Sequence, residues 1–82
     1  MTEFQENMQR IAAACKGKRG RTKEIAKRAG VSEQTVRDTL KQTQPERLTD
    51  GQRRVISAAL DYLKPYLDEA RDYERRITEA LQ

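Results

Sequence analysis

The sequence predicts an all-α domain, and three observations carry that expectation. Apolar residues recur at steps of three and four along most of the chain, with no run of strict alternation that would mark a strand. Only 14 of the 82 residues are Leu, Ile, Val or Phe, while nine are Ala. Such a core suits helices at close approach, because alanine loses no side-chain entropy and lets backbones come near one another. The third observation is that cap residues stand in front of the apolar stripes at the right spacing.

Thr2 opens the first helix, with Gln5 three residues on as in a capping box. Phe4, Met8, Ile11, Ala12 and Cys15 form its stripe, and Gly17 is its natural stop. Cys15 is expected to fill the core as a small hydrophobe. Residues 16–21, Lys-Gly-Lys-Arg-Gly-Arg, lack periodicity and read as a flexible cationic loop. Thr22 is the expected cap of a second helix with Ile25, Ala26 and Ala29 inward, and Gly30 breaks it. Val31 pins the turn, Ser32 caps a third helix reaching about Lys41 or Gln42, and Val36 and Leu40 face the core. After the connection at 43–47, Leu48 offers a hydrophobic staple and Thr49 with Gln52 a second capping box. Val55, Ile56, Ala59, Leu60 and Leu63 then carry a helix to about Lys64. Pro65 either kinks that helix or starts a new one. Positions 56, 59, 63, 66, 70, 73, 77 and 80 approximate a heptad seam that passes through the proline. The expected organisation is therefore a domain over 1–64, with its motif at 22–41, followed by a helix over 65–82.

Composition excludes several functions. The chain has no His and a single Cys, which removes histidine acid–base catalysis, His/Cys metal sites and any internal disulfide. No cofactor, metal or catalytic residue is expected, and the protein does not read as an enzyme. The longest apolar run, Ile11 to Cys15, suggests neither a membrane span nor a signal peptide, so the expected compartment is the cytoplasm. The formal net charge is +4, and the excess is clustered. Residues 16–28 hold seven basic side chains against one acidic. Scattered charge would serve solubility; a cluster suits a polyanion.

Two short helices joined by a tight turn at Thr22–Leu40 form the informative stretch. Gly30 permits a positive backbone angle there, which a residue with a side chain would adopt at a cost of about 1–2 kcal/mol. Glu24-Ile-Ala-Lys-Arg-Ala-Gly-Val-Ser-Glu-Gln-Thr-Val36 resembles the helix-turn-helix of lac-repressor-type regulators. Leu48 to Leu63 is similar to the third helix of the same headpiece. The resemblance covers about residues 22–63, and the extra helix before it is more like the layout of small phage repressors. Neither the family's hinge nor its sugar-binding domain has a counterpart here, so no small-molecule effector is carried over.

The resemblance implies double-stranded DNA as the partner, with the helix at about 32–41 in the major groove. By position, the base readers would be Glu33, Gln34, Arg37 and Asp38. Gln can pair bidentately with adenine, Arg with guanine, and a carboxylate can accept from the cytosine amino group. A basic reader is common at the position of Asp38 in the resembling proteins; here either Arg37 stands in for it or Asp38 holds Arg37 in place. Thr22, Ser32 and Thr35 are expected phosphate contacts, with Lys16, Lys18, Arg19, Arg21 and Lys41 supplying the electrostatic part. Leu63, Tyr66, Leu67, Ala70, Tyr73 and Ile77 either fold back on the small core or pair with a second copy, and pairing to a homodimer is the favoured expectation. A chain this short buries only about 60% of its unfolded surface, so association would also support the fold.

Together these readings point to a sequence-specific DNA-binding transcription regulator of phage or mobile-element kind, expected to act as a dimeric repressor on an inverted-repeat operator. The rivals are an antitoxin or a partition or recombination accessory factor, and a helical adaptor for protein or RNA.

Overall fold

The computed structural model describes residues 2–82. Four helices follow one another: α1 at Glu3–Cys15, α2 at Arg19–Ala29, α3 at Glu33–Leu40 and α4 at Asp50–Leu81, with a single 3-10 turn at Pro45–Arg47 before α4. There is no strand among the described residues. No helix among them is long and apolar enough to cross a membrane.

The helix starts follow the cap chemistry in three cases of four. The Thr2 hydroxyl accepts from the Gln5 N–H at 3.2 Å, while the Gln5 side chain accepts from the Thr2 N–H at 3.0 Å. The same reciprocal pair joins Thr49 and Gln52 at 3.0 and 3.2 Å. Ser32 Oγ accepts from the Thr35 N–H at 3.1 Å. Each such cap satisfies backbone donors that the first turn of a helix leaves without partners.

The start of α2 differs from expectation. Thr22 is not its cap: α2 begins at Arg19, so the expected loop at 16–21 ends three residues early and Thr22 lies within the helix. Lys18 occupies the cap position, without a side-chain hydrogen bond and with no acidic residue in the first turn. The C-terminal end of α2 matches expectation. Gly30 stands at φ +71°, and the N–H of Val31 bonds back to the carbonyl of Ala26 at 3.1 Å, closing a Schellman motif.

The core gathers one short stripe from each helix: Met8, Ile11 and Cys15; Ile25, Ala26 and Ala29; Val36; Val55, Ala59 and Leu63. Leu40 and Ile56 are half-buried against it. Leu60, on the same helix, is 49% exposed and lies outside the core. A polar residue was missed. Thr39 is fully buried, and its hydroxyl donates to the Thr35 carbonyl at 2.6 Å. That bond to its own helix removes the penalty of burying a hydroxyl.

Pro65 does not separate two helices. It lies inside α4, which runs without interruption from Asp50 to Leu81. Proline cannot donate to the Asp61 carbonyl. Both residues are exposed, so water can take that carbonyl. The boundary expected between 64 and 65 therefore falls within one helix. Only the first part of α4 belongs to the core. Beyond Leu63 none of its residues is buried.

Candidate nucleic-acid interface

The core face of α3 is fixed by Val36 and Thr39, both at 0% exposure, so the opposite face must point outward. Gln34, Arg37, Asp38 and Lys41 are exposed; Glu33 and Thr35 are half-buried at the first turn. Three of these side chains form a relay along the surface. Arg37 donates to Gln34 Oε1 at 3.3 Å, and Gln34 Nε2 donates to Asp38 Oδ1 at 2.8 Å. The link between Arg37 and Asp38 thus runs through Gln34. Both ends of the Gln34 amide are engaged, whereas a guanidinium with five N–H donors retains most of its capacity. Ser32 and Thr35 lie together at the start of α3, their hydroxyls 3.0 Å apart.

The basic segment divides into two groups. Lys16, Lys18 and Arg19 are exposed before and at the first turn of α2, with Lys23 and Lys27 exposed farther along it. The helix macrodipole places partial positive charge at an N-terminus, where cations are unfavourable and anions favourable. With cations and no acid at its first turn, α2 opens in a way that a polyanion would relieve.

Arg21 belongs to the second group, which faces the protein. Its guanidinium donates to the Ala14 carbonyl at 2.8 Å and lies 3.8 Å from the centre of the Tyr66 ring. Tyr66 meets Tyr62 edge-on at 6.1 Å, and Arg28 covers Tyr62 at 4.8 Å. Thr22 is half-buried. Burial pushes the Cys15 thiol's pKa up, and the charge of Arg21 and the neighbouring Thr22 side chain pull it part of the way back. The ladder joins the end of α1 and the start of α2 to the middle of α4. Arg21→Ala is expected to lower unfolding stability by about 1–2 kcal/mol, from the lost cation–π contact and hydrogen bond. Urea denaturation measures it, and an unchanged midpoint would return Arg21 to the solvated group.

Further contacts were not foreseen. Arg54 Nε donates to the carbonyl of Ala29 at 3.3 Å, fastening α4 to the end of α2 beside the Gly30 turn. The proposed pairing residues also divide. Leu63 is fully buried in its own core and is not available to a partner, which corrects that expectation. Leu67 is half-buried, while Tyr66, Ala70, Tyr73 and Ile77 are exposed. No family model, curated protein or solved structure matches this chain.

Proposed function

We propose that this protein is a sequence-specific double-stranded DNA-binding regulator that reads base edges through α3. The observation that carries the reading is the exposed Arg37–Gln34–Asp38 relay, presented on a short helix whose other face is locked into the core. The uncapped cationic start of α2 supplies charge for the phosphate backbone. Phosphate contacts fix register and base contacts give specificity, and the two groups divide along that line.

Arg37 is the primary reader, since its free N–H groups suit guanine O6 and N7. Gln34 accepts from Arg37 at 3.3 Å and can exchange its own surface bonds for a base edge. Asp38 and Glu33 repel phosphates unless a cytosine amino group meets them, so they select against wrong sequences as much as for the right one. Lys16, Lys18 and Arg19 serve the backbone, with Ser32, Thr35 and Lys41 near the reading helix.

Selection of bound duplexes from a random pool at about 150 mM salt tests this, because non-specific binding is weak there. A recovered motif containing guanine is the expected result. Recovery of no motif would overturn base reading and leave general polyanion affinity.

A further inference from the structure

The stripe that α4 buries in the core does not stop where the core stops. Val55, Ala59 and Leu63 are buried, and the same steps of three and four continue through Tyr66, whose ring carries Arg21 on one face, and through Ala70, Tyr73, Ile77 and Leu81; all five are exposed. Tyr66, Tyr73, Ile77 and Leu81 are 39%, 53%, 59% and 82% exposed, and Leu60 is 49% exposed. These five side chains leave on the order of 500 Å² of largely apolar surface in water. Beside them, between α1 and α4, runs a groove of about 580 Å³ whose walls include Phe4, Met8, Ile11, Leu60, Leu67 and Ala70. A helical segment without tertiary packing is marginal in water, so this part of α4 needs a cover.

From this we infer that the cover is α4 of a second copy, lying antiparallel over residues 66–81. The flanking charges select that partner and that direction. Taking 66, 70, 73 and 77 as the seam, Glu69 and Arg76 flank one side, and Leu60, Leu67, Glu74 and Leu81 flank the other. A parallel pair sets Glu69 against Glu74 of the second copy, twice. An antiparallel pair sets Glu69 against Arg76 of the second copy, again twice, and brings Leu81 of the second copy to Leu60 at the mouth of the groove. The seam layers are then Tyr66 on Ile77 and Ala70 on Tyr73, each repeated by the two-fold axis. Arg76 rests on Asp72 of its own helix at 3.1 Å and is 69% exposed, so it remains open to a second carboxylate. A stable interface takes roughly 800 Å² from each partner. The stripe provides more than half of that, and the groove floor adds to it.

Sedimentation of the full chain, without DNA and at tens of micromolar, is the test. A particle of two chains is expected, and Ile77→Asp is expected to sediment as a single chain with unchanged helical content. Glu69→Arg replaces two attractive pairs by two repulsive ones and should weaken association about tenfold. Adding Arg76→Glu to it should restore the wild-type affinity. A wild-type monomer would leave the stripe to some other occupant and overturn the proposal. So would a dimer indifferent to Ile77→Asp, or one tightened by Glu69→Arg, as a parallel pair would be. The readout uses no DNA, so its failure would leave the proposed DNA reading untouched.

Discussion

Arg37→Ala is expected to weaken binding to a selected duplex by about 1–3 kcal/mol per half-site, roughly fivefold to 150-fold, with specificity relaxed at one base pair. The fold should not change. Arg37 is exposed and its side chain's one hydrogen bond among the described residues is the 3.3 Å contact to Gln34, and surface substitutions of that kind usually move stability by less than about 0.5 kcal/mol. Lys18→Ala makes the informative contrast. It should weaken all duplexes alike and reduce the dependence of binding on salt by about one phosphate. Titration of both variants against the selected and a scrambled duplex, at two salt concentrations, separates the roles. If Arg37→Ala bound the selected duplex as well as wild type, α3 would not be the reading element. Gln34→Ala should fall between the two, because it removes a possible adenine contact and also releases Arg37 from the relay. If Gln34 acts by holding Arg37, the double variant should cost less than the two single losses combined.

Much of this architecture is legible from local spacing, and the misses have physical causes. Thr2, Ser32 and Thr49 cap helices because cap chemistry needs only residues three positions apart, which a sequence displays directly. Gly30 is equally local, since its positive φ follows from where the helix must end. The start of α2 carried no such signal. Its first turn is Arg19-Gly20-Arg21 behind Lys18, a composition that reads as loop, and the only cap-type residue nearby was Thr22. The contacts of Arg21 within the chain went unforeseen for a different reason. Its ring partner, Tyr66, is 45 positions away, and a planar guanidinium that can stack on an aromatic face cannot be told from a solvated one by charge counting. Thr39 escaped because hydroxyl residues are ordinarily kept out of cores, and its bond to Thr35 is what permits the exception. Periodicity showed the whole stripe of α4 but not the point at which the other helices stop covering it.

That point is Leu63, and its substitution separates the core from the paired face. Leu63→Ala should destabilise the chain by about 2–5 kcal/mol, the usual cost of emptying a fully packed leucine site, since Leu63 is 0% exposed among core side chains of the other helices. An 82-residue domain has a total stability of only about 4–12 kcal/mol. The loss is therefore a large share, and the thermal midpoint should fall by roughly 10–30 °C. Ile77→Asp, fourteen positions farther along the same stripe, should instead act on association, making the midpoint independent of protein concentration where the wild type's rises with it. Thermal melts of both variants at two chain concentrations distinguish the sites. If Leu63→Ala kept its midpoint and lost only the concentration dependence, Leu63 would face a partner, and the boundary between core and interface would lie earlier in α4 than its burial indicates.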